Sequence, residues 1–260
     1  MRRYALRDPR LLADYARLSL SSRHSPHDER DRADGRASAG ALPVEAALER
    51  VRNEWGDFEE GPALAHVRAY EPEATASATG AARADQHAAG AGLAALAYAV
   101  VRAQRPERVI ETGVATGVTS AHVLAALADN GAGELHSIDL PPPEFLDTPL
   151  AGGAVPPELR AGWRLRHGSS RRLLPGVLRE TAGVRRLFIH DSDHRYEPMR
   201  WELEQALAAF GPGDAVLADD VDGNDAFADV ARAAGLGPVY VDAGGGAGTA
   251  GMLVLGGAFP

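Results

Sequence analysis

Short apolar or β-branched runs recur at residues 108–113, 134–140, 163–168, 185–191 and 214–220, each closed by a turn or a charged residue. Between several of them lie helical patterns. One starts near Gly117, one follows Pro198 with Met199, Leu203, Leu207 and Phe210 along one face, and one covers about 224–234. Ahead of the first run, Leu93, Leu96, Ala97, Val100 and Val101 recur at helical spacing until Pro106 stops the pattern. Strands that alternate with helices of about 10–15 residues pair in parallel, because each crossover helix returns the chain to the same edge of the sheet. The tail breaks the rule. Val239 to Val241 and Met252 to Leu255 are joined by a Gly-rich turn with no room for a crossover helix, so they read as an antiparallel hairpin. The expectation is an α/β fold: a doubly wound, mostly parallel, seven-stranded sheet closed by that C-terminal hairpin.

Residues 1–80 differ from this pattern and are read as an N-terminal helical extension, or cap, on a domain spanning 81–260. Helical spacing runs over Leu11 to Leu18 and over Val44 to Trp55. Between them, residues 21–40 contain no valine, leucine, isoleucine or aromatic residue, and are expected to form a mobile loop. The formal net charge of −9 argues against a nucleic-acid partner, which calls for a concentrated basic face. The absence of cysteine excludes disulfides, thiolate nucleophiles and cysteine-ligated zinc. No run of about 18 apolar residues occurs, and the N-terminus lacks the apolar core of a signal peptide. The chain is therefore expected to be cytoplasmic, without a membrane partner, and a homo-oligomer is left open.

The first βα turn, V-I-E-T-G-V-A-T-G-V-T-S (109–120), carries Glu111, Gly113 and Gly117 between an apolar strand and a helix. Glycines there let the backbone approach a ligand, and the helix N-terminus offers free N–H groups and a positive dipole end. Thr119 and Ser120 add hydroxyls at the same place. A dinucleotide fingerprint counted from Gly113 would want glycine at 115 and 118, where Ala115 and Val118 stand. Asp139 closes the second strand, where a carboxylate can accept both hydroxyls of a ribose. Ser169 and Ser170, after the third strand, are candidates for the adenine edge.

Two further segments, L-F-I-H-D-S-D-H-R-Y-E-P-M (187–199) and G-D-A-V-L-A-D-D-V-D-G-N (213–224), put carboxylates directly after apolar strands. Asp191 follows the fourth strand, and Asp219 and Asp220 follow the fifth. Like charges brought into one pocket repel unless a cation offsets them. Oxygen donors of this kind suit Mg²⁺ or a similar divalent ion. His194 follows closely enough to enter the same site, either as a general base or as a hydrogen-bonding residue of the loop.

Together these residues resemble class I, Rossmann-like methyltransferases dependent on S-adenosylmethionine. The resemblance covers 83–257, and within that class it is to the catechol and antibiotic- or sugar-type O-methyltransferases. It implies that the turn with Glu111, Gly113, Ala115, Gly117, Thr119 and Ser120 holds the cofactor, with Asp139 on its ribose and Asp191 also at the cofactor. It implies a divalent metal, Mg²⁺ by expectation, on Asp191, Asp219 and Asp220. Because the run reads H-D-S-D-H, whether Asp191 or Asp193 is the ligand stays open. Asp191 and His194 are the candidate catalytic residues, and the acceptor is expected to be a hydroxylated small molecule such as a sugar, polyketide or phenolic. Two other readings remain: an NAD(P)-dependent oxidoreductase, which the missing glycines disfavour, and a cofactor-binding protein without activity.

Overall fold

In the computed structural model, residues 8–23, 36–79, 91–142, 151–243 and 248–256 are described. The strands are β1 (Arg108–Thr112), β2 (Glu134–Asp139), β3 (Trp163–His167), β4 (Arg186–His190), β5 (Ala215–Ala218), β6 (Val239–Asp242) and β7 (Thr249–Val254). They form one sheet in the order β3-β2-β1-β4-β5-β7-β6. The pairs from β3 through β5 are parallel, and β7 runs antiparallel to both β5 and β6. Each expected strand is present within a few residues of its place, and the tail is the expected hairpin. The strand order reverses between β1 and its neighbours β2 and β4. That makes the carboxyl edge of β1 and β4 the topological switch point where ligands bind in open α/β sheets.

Side chains alternate across the sheet with period two, and each face has its own helices. Val109, Leu187, Ile189, Ala215, Leu217 and Met252 face one layer, with α3 (Val44–Trp55), α4 (Pro62–Thr79), α5 (Ala91–Gln104) and α6 (Val118–Asn130). Ile110, Phe188, Val216, Ala218 and Leu253 face the other, with α7 (Ser170–Glu180), α8 (Tyr196–Ala209) and α9 (Ala226–Ala234). Phe188 and Ile110 are completely buried. At about 1.5–3 kcal/mol for each large apolar side chain removed from water, these two layers supply most of what holds the strands in register.

The N-terminal region is a working part of this core. Ala47 and Val51 of α3, and Leu64 and Val67 of α4, are buried in the same cluster as Val109 and Leu187. Leu42 forms a parallel bridge to Val241, its amide donating to the Tyr240 carbonyl while Asp242 N–H donates to its own, each at 2.8 Å. The loop expected over 21–40 is helical at both ends. Helix α1 (Pro9–Arg23) runs through Ser21–Arg23, and α2 (Arg36–Ala39) closes the segment. A small residue can be ordered by the large apolar partners of the core: Ala37 is buried in the second core layer. Residues 24–35 lie outside the described residues.

Candidate active site at the carboxyl edge of the sheet

The turn after β1 is built by backbone that side chains resist. Gly113 has φ 83°, and a Cβ on it would sit 1.8 Å from the Asp191 carbonyl oxygen. Only glycine lets the β1 turn press against the segment after β4. Ala115 stands where a dinucleotide fingerprint would want glycine, yet it takes the left-handed conformation with φ 48°. That costs about 1–2 kcal/mol for a residue with a Cβ. The surroundings hold it there, since Gly152 N–H donates to the Ala115 carbonyl at 2.9 Å and Ala154 N–H to that of Thr116 at 2.8 Å. Gly117 precedes α6, and no side chain caps that helix. Its first-turn N–H groups and positive dipole end therefore face the edge of the sheet.

Glu111 and Asp139 lie beneath and beside this turn. Glu111 is fully buried, and its Oε2 accepts from Ser120 Oγ at 2.7 Å and Ser137 Oγ at 2.5 Å. The Ser120 hydroxyl is thus spent on the protein itself. Burial pushes the Glu111 carboxyl up to about 7, against the pull of the two serine hydrogen bonds. Asp139 Oδ1 accepts from the Val114 amide at 3.3 Å, and burial raises its carboxyl as well. Glu111 Oε1 and Asp139 Oδ2 are buried without a hydrogen-bond partner among the described residues. A buried oxygen left so costs about 1–3 kcal/mol, which a ligand donor would recover.

The acids after β4 and β5 meet only in part as expected. Asp191, His194 and Asp219 each bring one ligand atom within 4.8 Å of the others. Asp220 is not in that set. It has φ 49°, and its Oδ2 lies 3.3 Å from Nδ1 of His194, while His194 Nε2 is 3.7 Å from Asp191 Oδ1. Thr119 Oγ1 donates to Asp191 Oδ2 at 3.5 Å. Asp193 turns away to Arg195, whose Nε donates to it at 2.9 Å. Burial, and then Asp219, Glu111 and Asp220, push the Asp191 carboxyl well above its ordinary value. Burial and Asp220 lift that of Asp219 to about 7, and its Oδ1 is buried without a partner among the described residues. Burial, then the neighbouring His190, hold the His194 imidazole below its ordinary pKa. This is a pocket of carboxylates that repel one another beside a neutral imidazole.

The two serines after β3 are engaged elsewhere. Ser169, the residue before α7, gives both its N–H and its hydroxyl to Asp14 of α1. Ser170 lies near Glu202 of α8 and helps to lower its carboxyl. Glu202 is the residue the sequence reading missed. It is buried and accepts from Thr112 Oγ1 at 2.6 Å, His190 Nδ1 at 2.7 Å and Ser192 Oγ at 3.0 Å. Burial raises its carboxyl, but His190, Ser170 and Thr112 bring it below its ordinary value. It ties β1, β4 and the loop after β4 to one anionic point. A glutamate on the buried face of α8, in step with Met199 and Leu203, was the available signal.

Residues 110–221 match a family model described as a methyltransferase domain. No curated protein sequence matches the chain. Among solved structures, it is similar to the SAH-bound methyltransferase PaMTH1 of Podospora anserina, at 11% identity and a TM-score of 0.53, over 82% of this chain and 94% of that one. It is also similar to an O-methyltransferase of Bacillus cereus in complex with SAH, at 14% identity and a TM-score of 0.55, over 84% of this chain and 99% of that one. At such identities the likeness establishes the fold alone, and the family model reaches only residues 110–221 of the chain. No helix among the described residues is long and apolar enough to cross a membrane.

Proposed function

We propose that this chain, a methyltransferase by the domain it carries over 110–221, transfers the methyl group of S-adenosylmethionine to an oxygen of a hydroxylated small molecule. The observation that carries the reading is an adjacency at the β1–β4 switch point. The glycine turn at 113–117 and the Asp191–His194–Asp219 cluster are pressed together where Gly113 meets the Asp191 carbonyl. In this reading the turn would hold the methyl donor, and the unpartnered oxygen of Asp139 would accept from its ribose.

His194 is the general base of the proposal. With Nδ1–H toward Asp220, the imidazole presents its Nε2 lone pair to the site, and its lowered pKa keeps it neutral near pH 7. An oxygen lone pair of the acceptor attacks the methyl carbon in line with the sulfur. The C–O bond forms as the S–CH₃ bond breaks, its electron pair stays on sulfur to give S-adenosylhomocysteine (SAH), and the hydroxyl proton passes to Nε2. Holding the reactants at contact distance supplies much of the acceleration in such a transfer.

Asp191 and Asp219 fit a divalent ion by donor type, by the unpartnered oxygen of Asp219, and by the repulsion that a cation would relieve. An ion held there would supply Lewis-acid polarisation of the acceptor hydroxyl. Calorimetry with SAH and with NADH tests the donor site. Binding of SAH near the micromolar range, about −8 kcal/mol, with none of NADH is expected, and the reverse result would overturn the reading. Turnover is tested with methyl-labelled donor against sugars, phenols and polyketide alcohols, scored by label in the product ether.

A further inference from the structure

The first helix lies outside everything assigned so far, and its contacts are polar and specific. Among the described side chains of α1, only Leu11 and Asp14 are buried. Asp14 is 1% exposed and spends both oxygens at the start of α7. Oδ2 accepts from the Ser169 amide at 3.1 Å and from Arg172 Nε at 2.8 Å, with Arg172 Nη2 at 2.7 Å, while Oδ1 accepts from the Ser169 hydroxyl at 2.8 Å. Next to it, Tyr15 donates its hydroxyl to the Pro141 carbonyl at 2.7 Å.

These anchors lie beside Asp139. Pro141 is the second residue after Asp139, which ends β2, and Ser169 is the second residue after β3. The helix therefore bridges the carboxyl ends of β2 and β3, the stretch of sheet edge next to the unpartnered Asp139 Oδ2. On the donor-site reading above, that is the nucleoside half of the cleft. We infer that α1 is a removable clasp over the nucleoside end of the donor cleft, latched by Asp14 on Ser169 and Arg172, and that the donor exchanges when the latch opens. The make-up of the contact suits opening. Among the described contacts the polar ones lead, four at Asp14 and one at Tyr15, and Leu11 is the one apolar side chain of the helix seen buried. Asp14 acts through the clasp and is a positioning residue.

The test uses the full chain with SAH as probe. Stopped-flow displacement should show SAH leaving Asp14→Ala about tenfold faster than wild type, the loss expected from one charged hydrogen-bonded contact. Tyr15→Phe, which removes a single hydroxyl and leaves Asp14 in place, should speed release by a smaller factor. Trypsin supplies a second readout. SAH should slow cleavage after the exposed Arg10 and Arg17 in wild type and lose that effect in Asp14→Ala. A wild type that binds no SAH removes the donor-site reading, and the clasp with it. If wild type binds SAH but both variants release it at the wild-type rate, with cleavage indifferent to SAH, the clasp alone is overturned. Melting curves of both variants separate loss of the latch from loss of the fold.

Discussion

Glu111→Gln should invert the order of stability of wild type and variant between mildly acid and mildly alkaline pH. Glu111 is fully buried, and its carboxyl is held at about 7 in the fold, against 4.5 for an ordinary glutamate. The folded pKa lies above the unfolded one, so the fold favours the protonated form. That stability is present in full below about pH 4.5 and is lost as pH rises through about 7. A rise from 4.5 to about 7 corresponds to about 3 kcal/mol. Glutamine keeps an acceptor for Ser120 and Ser137 but puts an amide where Oε1 stood, a loss of about 1 kcal/mol at every pH. Wild type should therefore be more stable by about 1 kcal/mol near pH 4 and less stable by about 2 kcal/mol near pH 8. Asp191 feels Glu111 as a like charge, so neutralising Glu111 eases its ionisation and reinforces the same trend. Urea unfolding of donor-free protein, stepped from about pH 4 to about pH 8, measures the difference directly. Two curves that stay parallel over that range would refute the reasoning.

Asp219→Asn should raise the melting temperature of ion-free protein near pH 8, because it removes a carboxyl that burial and Asp220 hold at about 7. The same change should abolish the rise in melting temperature that Mg²⁺ or Mn²⁺ gives wild type, and a variant that still responds to the ion would take Asp219 out of the ion site. Asp139→Ala should weaken SAH binding by about 1–3 kcal/mol in calorimetry, the worth of a charged acceptor, and unchanged affinity would free that carboxylate from any role at the ribose. Gly113→Ala should destabilise by more than about 3 kcal/mol in urea unfolding, since its methyl would meet the Asp191 carbonyl at 1.8 Å. A near-native midpoint would mean that the turn can move.

The sheet was legible because its signals are local. β1, β4 and β5 are short apolar runs such as Val109–Ile110 and Leu187–Phe188–Ile189, buried on both faces, and each ends where a charge or a glycine stands. The hairpin was legible because the chain between β6 and β7 is too short for a helix. Two helices gave weaker signals. In α7 the stretch S-R-R-L-L-P-G-V-L-R-E puts Pro175 and Gly176 in mid-helix, where both oppose helix formation. The burial of Leu174, Val177 and Leu178 outweighs them. In α4, alanines blur the apolar stripe that Leu64 and Val67 mark. Ala115 shows the opposite case. A missing glycine weakened the motif on paper, while the backbone takes the left-handed turn regardless because neighbouring amides fix its carbonyl.

The site divides along the same line, between what one segment encodes and what needs two. Carboxylates at strand ends could be read from 187–224, since strand end and acid are adjacent in the chain. Which of them converge could not, because that depends on rotation after the strand. Asp193 is drawn off by Arg195, Asp220 by His194, and His194 enters in the place foreseen for Asp220. Ser169 and Ser170 could be placed at the right edge but not given the right partners. Those partners, Asp14 and Glu202, lie far away in sequence, and each is an acid on an otherwise ordinary helix. A carboxylate alone on a helix is indistinguishable from a solvated one until the fold shows what surrounds it. Glu202 and Asp14 are both buried with donors on every side, so neither can be exchanged for a neutral residue without leaving those donors unpaired. These two buried acids are thus the ones that only the folded chain reveals.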